Sequence, residues 1–251
     1  METLAKVPNL RKGLPLISYL SWRFLVVKLT FYGHSCFALD SEGAIILIDP
    51  FLTGNPQAPI TADEVKANYV LVSHGHCDHL GDTIAIAKRN KALVIANYEV
   101  ATYCQKHRVN AHPLHIGGGY SFPFGKVKLT IAHHGSSFPD GSYAGNPCGF
   151  LVSTGGKVVY HACDTGLFYD MKLIGDRHAL DVAILPIGGN FTMDVDDAAY
   201  AAGLLHPKVV IPCHYNTFDV IQQEPKEFKR QVEAETKAKC VILKPGESYS
   251  L

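Results

Sequence analysis

The chain has no surplus of either charge. Its 23 lysines and arginines stand against 23 aspartates and glutamates, and charged residues make up only 18% of the 251. A balance of zero supplies no global field to steer the protein toward nucleic acid or an anionic membrane surface. No apolar run is long and unbroken enough to span a bilayer: LPLISYLSW at 14–22 is short, and Arg23 interrupts it. Arg11 and Lys12 ahead of that stretch imitate a signal peptide, but no small-x-small cleavage site follows, so secretion is not expected. The glycine-rich stretches TGNP, YAGNP and PIGGNF lack the order of a P-loop or a dinucleotide fingerprint. There is no low-complexity segment, no short-period repeat and no composition break that would mark a linker. Seven cysteines, an odd number without regular spacing, argue against a disulfide framework and for reduced thiols in a cytoplasm.

What is present is a core. With 47% hydrophobic residues the chain can bury one large domain, expected over 27–251, with 1–26 as an amino-terminal extension. From Val27 onward, short β-branched or aromatic runs alternate with turn signals: VKLTFYG, CFALD and AIILIDP, then the continuous apolar run YVLVS. Asp82 is placed to cap a helix through TIAIAKRN, ALVIAN follows as a strand, and Glu99–His107 reads as a second helix. The second half repeats the theme with KVKLTIA, GFLVSTGG, KVVYHA, DVAILPI and KVVIPC as strands. Helices are expected through DDAAYAAGLL and from Pro225 to about Ala238. Local strand pairs joined to strand–helix alternations imply an α/β fold of two mixed sheets packed together, with helices outside.

Thirteen histidines are the outlier of the composition, and histidine is the commonest metal ligand. Three of them crowd into HGHCDH at 74–79, directly after the apolar run YVLVS. His74 and His76 can chelate one ion from a single turn, while Asp78 and His79 point elsewhere and suit a second. Paired ions of this kind sit about 3.5 to 4 Å apart and share a bridging ligand. The six-residue cluster leaves both ions short of ligands, so further histidines and an acid are required at strand ends. LTIAHHGSS supplies His133 or His134, YHACDTG supplies Asp164, and VVIPCHYNTF supplies His214.

These motifs resemble the metallo-β-lactamase superfamily, and within it a group of metal-dependent hydrolases related to the ascorbate-phosphate lactonases. KLTFYGHSCF, ILIDPFLTGNP, HGHCDHLGD, YAGNPCGF, HACDTGLFYDMKLIG, LPIGGNFTMDVDDAA and IPCHYNTF are similar to that group's motifs, in its order, from Lys28 to the end of the chain. The resemblance implies a four-layer αβ/βα sandwich with metals at one edge between the sheets. It implies that His74, His76 and His134 hold one ion, that Asp78, His79 and His214 hold the other, and that Asp164 bridges them. His134 is preferred to His133 because neighbours on a strand face opposite ways and the family's ligand directly precedes the glycine and serine that are here Gly135 and Ser136. The resemblance also makes Asp49 a support of the metal-binding loop, since ligating histidines donate their other N–H to a carboxylate.

His34, in YGHSCF, is a candidate to polarise a substrate oxygen or donate a proton. Asn146, Asn190 and Thr192 are candidate substrate contacts in loops at the mouth of the site. Cys36, Cys77, Cys163 and Cys213 adjoin or nearly adjoin motif residues. On extended backbone Cys163 and Cys213 face away from Asp164 and His214 and read as core thiols. Cys77, in a loop, has no such protection. The expected chemistry is hydrolysis by a water activated by two divalent ions, zinc first, with manganese or iron also acceptable. The expected substrate is a small ester, lactone or phosphodiester. The alternatives are a nuclease of the same superfamily and a catalytically idle metal-binding or redox-sensing protein.

Overall fold

Alternate residues along the strands face two different cores, and this alternation builds the layers. Leu29 and Phe31, Ile46 and Ile48, Leu71 and Ile95 face Val127, Leu129, Phe150, Val152, Ile184 and Ile211 across the interior. Their neighbours Leu47, Val70, Val72, Val94 and Ala96 face the opposite way, under helices. On the far sheet Leu151, Tyr160, Ala183, Leu185 and Val210 do the same beneath a second set of helices. Four layers follow, helix, sheet, sheet and helix, as the sequence implied.

The computed structural model describes residues 26–251; the expected extension at 1–26 lies almost wholly outside the described residues. In chain order the elements are β1 (Val27–Phe31), β2 (Phe37–Ser41), β3 (Ala44–Ile48), β4 (Tyr69–Val72), α1 (Cys77–Leu80), α2 (Thr83–Asn90), β5 (Leu93–Asn97) and α3 (Tyr98–Lys106). Then come β6 (Ala111–Leu114), β7 (Gly119–Phe122), β8 (Gly125–Ile131), β9 (Cys148–Thr154), β10 (Lys157–His161), α4 (Met171–Arg177) and β11 (Val182–Pro186). The chain closes with α5 (Val195–Leu205), β12 (Val209–Cys213), α6 (Pro225–Glu235), β13 (Lys239–Cys240) and β14 (Ser248–Ser250). Among the described residues no helix is long and apolar enough to cross a membrane.

The first sheet runs β14-β1-β2-β3-β4-β5-β6 and the second β13-β12-β11-β10-β9-β8-β7. Both are mixed. β1 and β3 are each antiparallel to β2, and β3 through β6 are parallel, so β1, β3 and β4 point one way. In the second sheet β8 and β10 are each antiparallel to β9, and β10 through β13 are parallel, so β8, β10 and β12 share a direction. The two sets also agree with each other, because the His214 N–H just past β12 donates to the His34 carbonyl just past β1 at 2.8 Å. Every loop that leaves these six strands therefore opens at the same end of the sandwich.

Asp82 precedes α2 without capping it through its side chain. Its Oδ2 instead accepts the Leu52 and Thr53 N–H groups at 3.0 and 2.8 Å, tying the loop after β3 to the loop after β4. β8 ends at Ile131, short of His133, so the histidine pair sits in a loop rather than on a strand.

Candidate metal centre

Six loops deliver the side chains. His34 follows β1, Asp49 follows β3, His74 to His79 follow β4, His134 follows β8, Asp164 follows β10 and His214 follows β12. Four residues at these exits turn the chain through the left-handed region: His34 (φ 57°), Asp49 (φ 46°), Cys163 (φ 55°) and His214 (φ 54°). Such conformations are costly for residues other than glycine and persist where surrounding structure holds them. Here each one bends a strand end inward.

The centre of the cluster is Asp164. Its Oδ2 lies 3.1 Å from His214 Nε2, 3.2 Å from His79 Nε2 and 3.5 Å from His134 Nε2. Ligand atoms of His74, His76 and His134 lie within 4.8 Å of one another, as do those of His74, His79 and Asp164. A third such set joins Asp78, His79 and His214 with His34. The structure thus brings together all seven side chains named from the motifs, and it adds His34. His133 stays outside, exposed and stacked on Phe168 with ring centres 5.1 Å apart.

One carboxylate sets the orientation of two imidazoles. Asp49, fully buried, accepts the Ser73 N–H at 2.8 Å, the Ser73 hydroxyl at 2.6 Å and His79 Nδ1–H at 2.8 Å. His79 Nε2 is then the ring nitrogen aimed at Asp164, 3.2 Å from its Oδ2. The Ser73 hydroxyl has one proton, and Asp49 takes it, so His74 Nδ1, 2.9 Å away, must donate to the Ser73 oxygen. His74 Nε2 then carries the lone pair, and it stands 3.0 Å from His76 Nδ1. Ser73 escaped the sequence reading, although a polar residue closing an apolar strand just before HGHCDH was a legible signal.

Close approach of backbone shapes the same loop. A Cβ at Gly75 would overlap the Ala144 side chain, and Gly75 N–H donates to Ser136 Oγ at 3.2 Å. Thr165 Oγ1 accepts the His133 N–H at 2.9 Å and Gly166 N–H donates to the His133 carbonyl at 3.0 Å, holding the His134 and Asp164 loops together. His34 bridges the sides: Nε2 is 3.1 Å from Asp78 Oδ2 and Nδ1 is 2.9 Å from Thr217 Oγ1. His161 is buried and fully satisfied, accepting the Cys163 N–H at Nδ1 and lying 3.2 Å from the Ser35 carbonyl at Nε2. Its place is structural.

Burial and charge act against each other across the cluster. Burial pushes His34 down to about 4 despite the pull of Asp78, and it also lowers His74 and His134. His79 differs: burial lowers it, but the Asp164 and Asp49 carboxylates outweigh burial and hold it well above the ordinary imidazole range. For Asp164 burial works upward, and the imidazoles of His214 and His79 overcome it and hold the carboxyl well below its usual range. Asp78 is likewise held low, against its burial, by His34 and His79.

The residues present fit a divalent cation. His79 Nε2, both ring nitrogens of His214 and Asp164 Oδ1 are buried with no hydrogen-bond partner, a state buried polar atoms rarely keep. His79 Nε2 and a carboxylate oxygen 3.2 Å apart call for a positive charge between them, which the raised His79 supplies as a proton in the metal-free chain and a divalent cation would supply in its place. Imidazole nitrogens and carboxylate oxygens are the donors that zinc, manganese and iron accept.

A model of the "Beta-lactamase superfamily domain" matches residues 28–214. The chain belongs to that superfamily. A "UPF0173 metal-dependent hydrolase" of Pelotomaculum thermopropionicum is 54% identical over 229 residues, covering 90% of this chain and all of that one. Its counterpart from Carboxydothermus hydrogenoformans is 54% identical over 227 residues, with the same coverage. Igni18, a metallo hydrolase of Ignicoccus hospitalis, superposes with a TM-score of 0.83 at 39% identity, over 90% of this chain and 98% of that one. This chain is therefore a metal-dependent hydrolase.

The cysteines of this hydrolase are all free, and six of the seven are buried. Cys163 and Cys213 lie in the core between the sheets, where the sequence placed them. The reason differs for Cys163, whose left-handed backbone breaks the strand alternation on which that expectation stood. Cys77 is the exposed one. Of the expected mouth residues, Asn146 lines a cavity of about 210 Å³ with Asn97, Glu99, His115, Ile116 and Tyr143, and its Oδ1 accepts from Tyr143 Oη at 3.0 Å. Asn190 is exposed, and Thr192 is buried with its hydroxyl on the Met193 carbonyl. Among the described residues none of these three hydrogen-bonds to a member of the cluster.

Proposed function

We propose that this chain hydrolyses a small ester, lactone or phosphodiester at a two-metal centre. His74, His76 and His134 would hold one ion, Asp78, His79 and His214 would hold the other, and Asp164 would be available to both. One observation carries the reading: a single carboxylate oxygen stands within 3.5 Å of imidazole nitrogens from three separate loops. Divalent ions held there supply an acidified water, with a pKa lowered from about 15.7 toward about 7, and polarise the substrate's carbonyl or phosphoryl oxygen. Zinc suits the donor set best.

The chain's own residues supply orientation and access. Asp49 keeps the proton of His79 on Nδ1, and Ser73 does the same for His74, so both rings present Nε2 inward. His34 is neutral near pH 7 and donates its Nε2 proton to Asp78, which fixes that carboxylate at the edge of the reaction face. His74, His79, His214 and Asp164 are closed to solvent, whereas His76, Asp78 and His134 are partly open. Substrate enters at that edge. The free thiols suit a reducing compartment, and the cytoplasm is the proposed location.

Elemental analysis is expected to find about two ions per chain. Stripping the metal should abolish turnover of lactones and bis-p-nitrophenyl phosphate, and zinc or manganese should restore it. Asp164→Asn should lower both the stoichiometry and the rate, the latter by about a hundredfold or more. Hydrolysis that survives metal removal would sink the mechanism, and activity indifferent to Asp164→Asn would favour an idle site.

A further inference from the structure

Net neutrality hides a separation of charge along the sandwich. Lys66, Lys91, Lys126, Lys157, Lys208 and Lys239 sit just before or at the start of β4, β5, β8, β10, β12 and β13, at the end remote from the metal-centre loops. At the other end the loop 241–247, which meets Phe31, holds Lys244, whereas the six loops 49–64, 73–82, 132–147, 162–170, 187–194 and 214–224 contain no lysine or arginine. They carry Asp140, Asp170, Asp194, Asp219 and Glu224, all exposed and none in an ion pair among the described residues. The first turns of α4 and α6 add Lys172, which is held by Asp176 at 2.9 Å, and Lys226. The site itself is marked independently by the buried, unpartnered nitrogens of His79 and His214 and by Asp164 Oδ1.

Two aromatic rings stand on the same rim. Phe51, two residues past Asp49, and Phe218, four past His214, each meet the His34 ring edge-on, with centres 5.6 and 5.4 Å away. They lie 6.3 Å from each other, and Phe218 and Val220 are 37% and 59% exposed. Exposed aromatic surface beside a polar centre is the ordinary make-up of a small-molecule site. No cationic side chain stands among these loops to clamp a phosphate, a role arginine and lysine usually fill.

We propose that the site selects carboxylic esters or lactones whose non-reacting part is apolar and neutral or cationic, and that it rejects phosphate-rich and other polyanionic substrates. The selection rests on the hydrolase reading above and narrows it. The reacting carbonyl goes to the metal ligands, the apolar part lies against Phe51 and Phe218, and the acidic rim repels negative charge farther out. Such a rim acts through water, so its effect weakens as salt shortens the screening length below about 10 Å.

The test uses ligands that bind whether or not turnover occurs. Zinc-loaded protein is titrated calorimetrically with benzohydroxamates bearing a para-trimethylammonium, methyl or carboxylate group. At low salt the first two should bind about tenfold tighter than the carboxylate, and the gap should close at high salt. Asp170→Lys combined with Asp219→Lys should shrink or reverse the gap, and Phe218→Ala should weaken the methyl probe about tenfold. In parallel, neither metal-free nor zinc-loaded protein should bind a single-stranded RNA oligomer at low salt.

A carboxylate probe that binds as tightly as the others at low salt would overturn the selection, as would RNA binding with a steep salt dependence. Probes bound in the expected order with no ester or lactone turned over would sink the hydrolase reading alone. Ester turnover with the reverse order would sink only the selection. If no hydroxamate binds, the two-metal reading fails and the RNA measurement decides the charge claim.

Discussion

Ser73 shows how much one hydroxyl can decide. It contributes no metal ligand, yet its single proton, given to Asp49, forces His74 to donate through Nδ1 and to offer Nε2. Asp49 does the same for His79 directly, so one buried carboxylate governs a ring on each side of the shared Asp164. Ser73→Ala removes the relay to His74 while leaving the bond to His79 intact. Partners that orient ligands typically matter by about ten- to a hundredfold in metal affinity. The expected outcome is a loss of that order for one of the two ions only, read by competition with a chelator, together with a changed His74 tautomer in nitrogen NMR spectra of the metal-free variant. Equal weakening of both ions would show that Ser73 acts on the loop as a whole. Unchanged affinity would show that it acts on neither.

At the scale of elements, strands with two buried faces were the legible ones. YVLV, VAILP and VVIPC read as continuous apolar runs, and they are parallel strands flanked on both sides within their sheets. β6, β7, the two-residue β13 and β14 escaped notice. AHPL carries a proline and a histidine, GYSF is exposed at three of four positions, and SYS has no buried residue, so their sequences hold no period-two signal. Each lies at a sheet edge and takes its shape from its neighbour's hydrogen bonds. The cluster HGHCDH announced itself by local spacing and strand ends pointed to the remote ligands, whereas choosing His134 over His133 leaned on the resemblance, because the pair lies in a loop past β8 where strand alternation does not reach. α4 was missed for a related reason: MKLIGDR spans seven residues with Gly175 inside, a poor helix by propensity. That glycine serves packing. A Cβ there would stand 2.6 Å from the Leu204 and Leu205 carbonyl oxygens of α5. Alanine gains about 1 kcal/mol of helix propensity, but overpacking against backbone costs about 1–3 kcal/mol, so the clash should win. Gly175→Ala is expected to lower the denaturant midpoint with metal content unchanged; a stabilised variant would mean that α4 and α5 part without penalty.

For the whole molecule, the metal-free chain is a set of buried titrating groups whose shifts oppose one another, and their sum predicts a stability maximum. His34 and His161 are both lowered to about 4, chiefly by burial, and His74 and His134 are lowered too. In the unfolded chain these rings take up protons near pH 6.5. Between about pH 6.5 and 4 the unfolded state therefore holds more protons than the folded one, and stability falls as the solution is acidified. For a fully buried ring such as His161 the loss approaches about 3 kcal/mol at pH 4. His79 has the opposite sign. Raised by Asp164 and Asp49 against its burial, it contributes stability that is complete below pH 6.5 and is lost as pH climbs toward its folded value. Asp164, held low by His214 and His79 against its burial, contributes above about pH 4 and fails only in stronger acid. With four rings pulling down below pH 6.5 and His79 pulling down above it, the metal-free protein should be most stable close to pH 6.5. Urea unfolding followed by fluorescence from pH 4.5 to 8.5, with chelator present, reads this directly. A midpoint that rises steadily through pH 8 would mean that His79 is neutral in the folded chain and that Asp164 lacks the positive neighbour assigned to it here.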